Sequence, residues 1–182
     1  IFDRPEGGRL ISALDETFDP MREEMIVDLV VNPIYQVLRE FNEQHITHRA
    51  IRPTNLYTGG SEQGRFTLGE CVSAVPAIAQ PIVYEPIESC LCTVAGRGPG
   101  TLADDLYALG VTILALMTGK SPCQDMSDEE IISAKLSKGS YGALSQQSRI
   151  SLTVMEALRG LLNDDPSERW TVEDLGQWAN GR

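Results

Sequence analysis

Three groups of residues in this sequence have the chemical types needed for catalysis or ligand binding. His48 sits in Ile46–Leu56, a stretch whose polar residues fall at fixed offsets between two apolar segments. An imidazole titrates near neutral pH, but a general base needs an orienting partner and a substrate pose. The spacing supplies neither, so His48 reads as a packed structural histidine. Cys90 and Cys92 are separated by one leucine, with no His pair or second Cys pair nearby, which is poor zinc spacing. Gly7-Gly8 and Gly96-Arg-Gly-Pro-Gly100 are glycine-rich, yet neither follows a strand and opens a helix as a phosphate cradle must.

The whole-chain balance narrows the function classes. With 15 basic and 26 acidic side chains in 182 residues, the formal charge is -11. That field disfavours general binding to nucleic acid or to an anionic membrane surface. No apolar run approaches the ~20 residues of a spanning helix, and a basic segment followed by an apolar one does not open the chain. The four cysteines (71, 90, 92 and 123) have apolar neighbours and read as reduced, buried thiols. One acidic, cytoplasmic domain is expected, without repeats.

The elements that position these residues are mostly helical. Residues 1–10 pass from two apolar residues into a turn that would end a strand, and residues 11–19 fit a short helix. From Pro20 to Gln44 apolar residues recur at helical spacing, with Glu23 and Glu24 suited to a first turn. Pro33 lies inside that pattern and should kink the helix or leave a carbonyl unpaired. Asn55–Tyr57 and Arg65–Leu68 read as a hairpin, and residues 73–100, rich in Pro and Gly, as irregular. Residues 102–117 are apolar nearly all round, as in a buried helix, with Gly119 as its stop. Ser127 with Glu130 and Thr171 with Asp174 read as helix starts, and Ser151–Leu162 places Val154, Leu158, Leu161 and Leu162 on one face.

Ile46-Thr-His-Arg-Ala-Ile-Arg-Pro-Thr-Asn-Leu56 resembles the catalytic loop of eukaryotic-like protein kinases, with His48, Arg49, Ile51, Arg52 and Asn55 in register and Ala50 where the loop Asp belongs. Leu68-Gly-Glu-Cys-Val72 occupies the place of Asp-Phe-Gly, Pro86-Ile-Glu88 that of Ala-Pro-Glu, and Asp105–Gly110 the start of the central buried helix. Asp165–Thr171 matches the segment whose Arg pairs with the Glu of Ala-Pro-Glu. The resemblance covers essentially residues 1–182 and implies a mostly α (α+β) kinase C-lobe with one small hairpin and no N-lobe. Residues 1–10 become a hinge remnant, 46–56 the catalytic loop, 68–88 the activation segment and 102–182 the helical core.

For chemistry the resemblance implies an impaired site. A kinase uses the loop carboxylate to orient the substrate hydroxyl and take its proton, and the methyl of Ala50 does neither. Arg52 replaces the loop Lys, so the charge stays but the geometry changes. Asn55 and Glu70 keep oxygen donors where the family binds Mg²⁺, and Tyr57 brings a phenol beneath the expected adenine position. Cys71 and Val72 replace the aromatic residue and glycine of that motif. His48, Arg49, Glu88, Asp105 and Arg169 take structural places: Glu88 and Arg169 as a partly buried bidentate ion pair, Asp105 as acceptor of N–H groups near His48 and Arg49.

The expected role is a pseudokinase domain of a larger bacterial-type protein, acting by protein binding or scaffolding. The partner is a protein or another domain of the parent, or a second copy on the face a missing N-lobe would cover, where Ile1, Phe2 and Leu10 would be exposed. No cofactor is expected for this chain alone. The alternative is part of an ATP-dependent kinase or nucleotidyl transferase whose parent supplies an N-lobe and uses ATP and Mg²⁺ at Asn55 and Glu70.

Overall fold

The computed structural model describes residues 7–58, 64–71, 80–145 and 150–181. Ile1, Phe2 and Val72, and with Val72 part of the expected activation segment, lie outside them. The described residues form eight α-helices, of which α4 is the buried central one: α1 (Glu23–Ile26), α2 (Asn32–Glu43), α3 (Ile87–Cys90), α4 (Leu102–Thr118), α5 (Asp128–Lys138), α6 (Ser140–Leu144), α7 (Leu152–Leu161) and α8 (Val172–Asn180). The small sheet has three antiparallel strands rather than a hairpin alone, in the order β1 (Gly8–Arg9), β2 (Leu56–Thr58), β3 (Thr67–Leu68). Arg9 lies opposite Tyr57, and Leu56 opposite Leu68.

Helix α4 is buried along Asp104–Leu116, so its unbroken apolar sequence packs against neighbours on every side. It ends at Gly119, whose left-handed backbone (φ 72°) lets its N–H reach Ala115 at 2.8 Å. The capping boxes at Ser127/Glu130 and Thr171/Asp174 form as their spacing predicts.

Residues 11–19 form no helix. Ile11 is buried and the Phe18 N–H bonds Gly119 O at 2.8 Å, so this segment is held by tertiary contacts. Pro33 neither stops the long helix nor leaves a carbonyl bare. A π turn at Val27–Val31 joins α1 to α2. The Leu29 carbonyl, whose α-helical donor Pro33 lacks, takes the Phe66 N–H at 2.8 Å. Leu10, expected on an exposed face, instead packs partly buried against the core and bonds Leu56 O at 2.8 Å. The cysteines are all free, but only Cys90 is buried; Cys123 is half-buried, and Cys71 and Cys92 are exposed.

Candidate functional site

The loop after α2 is shaped by one buried carboxylate. Arg49 has a left-handed backbone (φ 59°), a conformation that costs a non-glycine residue roughly 1 kcal/mol or more and persists only where surroundings impose it. Here Asp105, in the first turn of α4, imposes it. Its Oδ2 accepts the His48 N–H at 2.6 Å and its Oδ1 the Arg49 N–H at 2.7 Å. Burial pushes the Asp105 carboxyl up to about 6, and the two N–H bonds pull the other way.

The Arg49 side chain ties a second segment to the loop. Its Nη2 reaches both Glu85 oxygens, at 2.8 and 2.9 Å, and its Nη1 lies 3.3 Å from Asp104 Oδ2. All three side chains are buried. Burial raises the Glu85 carboxyl against the pull of Arg49. Gly100 is needed here, because a Cβ would lie 2.6 Å from Arg49 Cδ. Glu85 escaped the sequence reading, since no periodicity marks one carboxylate before a proline.

His48 is positioned for packing. Its ring stacks on Phe41 with centroids 6.0 Å apart, and buried Nδ1 has no hydrogen-bond partner. Burial, aided by the Arg52 charge, lowers its pKa to about 4. A neutral imidazole without an orienting carboxylate is a poor general base.

Ala50 is fully buried, and its carbonyl accepts Asn55 Nδ2 at 2.9 Å. The same Nδ2 donates to Glu70 O at 2.9 Å, while Asn55 Oδ1 accepts the Glu70 N–H at 2.8 Å. Asn55 thus staples the loop to the segment after β3. Arg52 donates to Thr54 at 3.0 Å and to Gln80 at 2.9 Å. Tyr57 is buried, with its hydroxyl accepting Arg9 Nε at 2.6 Å and the guanidinium 5.5 Å from its ring centroid. Arg9 also holds Glu70 Oε1 at 3.1 Å. Gly69 lets this layer close, because a Cβ there would lie 2.3 Å from the Tyr57 ring.

Mg²⁺ asks for near-octahedral oxygens at ~2.0–2.1 Å. Here the Asn55 oxygen is bonded to the Glu70 N–H and the Glu70 carboxylate to Arg9. Among the described residues no group of three or more His, Cys, Asp or Glu side chains is set to hold a metal. As arranged, these residues do not fit the ion.

The second structural pair is present but weaker in geometry than its sequence suggests. Arg169 Nη2 meets Glu88 Oε1 at 3.0 Å in a single contact, not a bidentate one, and Glu88 Oε2 has no partner. The other Arg169 donors bond Asn163 O at 2.9 Å and Ala103 O at 3.3 Å. Lys135 was not singled out from sequence, since a lysine on a charged helix reads as surface. It is fully buried, with Nζ bonding the carbonyls of Glu85 (2.6 Å), Ile82 (3.0 Å) and Val83 (3.3 Å).

No protein-family model matches the chain. It is similar to MAP kinase kinase kinase wis4 of Schizosaccharomyces pombe, 24% identical over 184 residues that cover 93% of this chain and 13% of that protein. Mitosis inducer protein kinase cdr2 of the same yeast is 29% identical over 134 residues, 72% of this chain and 17% of that protein. Human mitogen-activated protein kinase kinase kinase 4 is 27% identical over 166 residues, 84% of this chain and 10% of that protein. The chain thus spans between 10% and 17% of the length of these relatives. It is protein-kinase-like over most of its length, and its helical fold with a small antiparallel sheet is that of a kinase C-lobe. These relatives are eukaryotic and lend no support to a bacterial source.

Proposed function

We propose that this chain is a pseudokinase-type C-lobe that works by binding protein, either a separate partner or another domain of a longer parent, rather than by phosphoryl transfer. The observation that carries this reading is Ala50: a fully buried methyl stands where the relatives' fold calls for a proton acceptor. Around it, Arg52, Asn55, Tyr57 and Glu70 are all bonded to other protein groups. A site that transferred phosphate would hold its donors toward substrate and metal.

The test is a thermal melt of the full-length parent with millimolar ATP and Mg²⁺ or Mn²⁺. A nucleotide present at 100 times its Kd stabilises by about 2.7 kcal/mol, roughly 5–11 °C for a domain of this size. No shift is expected. A shift of that size, together with phosphate transfer to a protein substrate, overturns the proposal.

A further inference from the structure

Between α5 and α6 the chain turns at Gly139, whose left-handed backbone (φ 72°) suits a residue without a Cβ. The turn sets Ser140 against Asp164, and Asp164 Oδ2 accepts the Ser140 N–H at 2.9 Å. Tyr107 of α4 closes the third side. Lys135 Nζ of α5 lies 5.1 Å from its ring centroid, and the Arg169 guanidinium, which donates to Asn163 O at 2.9 Å, lies 5.3 Å from it. Burial pushes the Tyr107 hydroxyl up, with the Ser140 hydroxyl opposing that rise and Cys90 and the Asp164 carboxylate adding to it. Ser140 and Asp164 therefore both act on the phenol oxygen.

Three oxygens at this junction are buried without a hydrogen-bond partner: Tyr107 Oη, Ser140 Oγ and Asp164 Oδ1. Tyr107 and Ser140 are fully buried residues, and folded proteins rarely leave such atoms unpaired. No two of the three oxygens bond each other. Their types are complementary, because the carboxylate oxygen only accepts while each hydroxyl can donate or accept. One small group placed among them satisfies all three.

We propose that Tyr107, Ser140 and Asp164 together bind one buried water molecule. The water donates to Asp164 Oδ1, accepts the Tyr107 O–H and makes its third bond with Ser140 Oγ in either sense. Three partners are the usual complement of an internal water. A metal cation suits the place less well, because the ammonium of Lys135 and the guanidinium of Arg169 already lie against the Tyr107 ring. An anion would meet the Asp164 carboxylate.

The bound water joins three elements: α4 through Tyr107, the start of α6 through Ser140, and the turn ahead of α8 through Asp164. It also gives the Tyr107 hydroxyl a purpose in a helix that is otherwise buried among apolar groups. Water-mediated bonds are nearly as favourable in enthalpy as direct ones, so the junction is tied rather than loosened by its polar groups. The inference goes beyond the proposed binding role and does not depend on whether the loop at Ala50 transfers phosphate.

A crystal structure of the chain tests it directly. The expected result is a density peak about 2.5–3.0 Å from each of the three oxygens. No peak among them overturns the proposal, as does a peak ringed by six or more oxygens at roughly 2.3–2.6 Å, the surroundings of a hard cation. Oxygen-17 relaxation dispersion checks the site in solution, since it reports the water oxygen and is blind to exchanging hydroxyl hydrogens. Tyr107→Phe with Ser140→Ala leaves the water one polar partner, and the dispersion amplitude should fall by one long-lived water relative to the unmodified chain. An unchanged amplitude overturns the site. If the double variant does not fold, the density in the unmodified chain decides alone. ATP takes no part in either measurement, so this proposal and the one above fail separately.

Discussion

Asp105 accepts the main-chain N–H of Arg49 at 2.7 Å from the far side of the loop, and this contact fixes a left-handed backbone that arginine does not choose alone. Asp105→Ala leaves the buried N–H groups of His48 and Arg49 without acceptors, at about 1–3 kcal/mol each. The expected loss is about 3 kcal/mol or more, a fall in Tm of roughly 6–12 °C for a domain of this size. Calorimetry of the variant checks it.

Asp105 and His48 pull pH dependence in opposite directions. Burial raises Asp105 from 3.8 to about 6, so its stabilising contribution is full below the unfolded value and is lost as pH rises through 6. His48 falls from 6.5 to about 4, so its contribution is full above 6.5 and is lost as pH falls through 4. Between pH 4 and 6 the slopes oppose, and urea midpoints of the unmodified chain should vary little on their account. His48→Leu removes one slope, and its midpoint should fall steadily from pH 4 to 6.

Arg169 and Glu88 should not be equivalent. Glu88 is 39% exposed while Arg169 is fully buried, so Glu88→Gln should cost under about 1 kcal/mol. Arg169→Ala strips donors from Asn163 O and Ala103 O as well, and leaves a void beside Tyr107. Its expected cost is about 3 kcal/mol. Equal shifts of the two urea midpoints would argue against this asymmetry.

Lys135→Met keeps the volume of a buried side chain but not its donors. Replacing a buried ion by an apolar residue can stabilise a protein. Here Val83 O would lose its donor, while Ile82 O keeps the Glu85 N–H and Glu85 O keeps the Cys90 thiol. Loss of about 1–3 kcal/mol is expected, with residues 82–85 losing amide-exchange protection first.

Ala50→Asp is expected to yield no kinase. The new carboxylate would enter a fully buried position, while Asn55 and Glu70 stay engaged by main chain and Arg9. A radiolabelled phosphate-transfer assay on the variant should stay at background, and the variant should melt lower than the unmodified protein.

Legibility followed periodicity and local chemistry. The apolar run of α4 and the capping boxes of α5 and α8 could be read because each is written within a few residues. Asp105 and Arg169 were placed by motif order, and the structure brings both to their partners. Residues 11–19 misled because Phe18 and Ile11 are used singly, one main-chain bond and one buried side chain, with no repeating face. Arg9 over Tyr57 was invisible because the strand that sets the two opposite is only Gly8–Arg9. Lys135 and Glu85 were missed for a shared reason: each is charged, and burial of a charge depends on distant partners that no local pattern records.

The proline in the long helix has a reach beyond its own turn. Strand β3 is only Thr67–Leu68, too short for its ladder bonds alone to fix its alignment, and a slip of one residue would turn Leu68 from core to solvent. The Phe66 N–H, one residue ahead, is anchored on the Leu29 carbonyl that Pro33 leaves available. A donor missing from a helix thus sets the phase of a strand in a different layer, and the position of Glu70 relative to Asn55 descends from it.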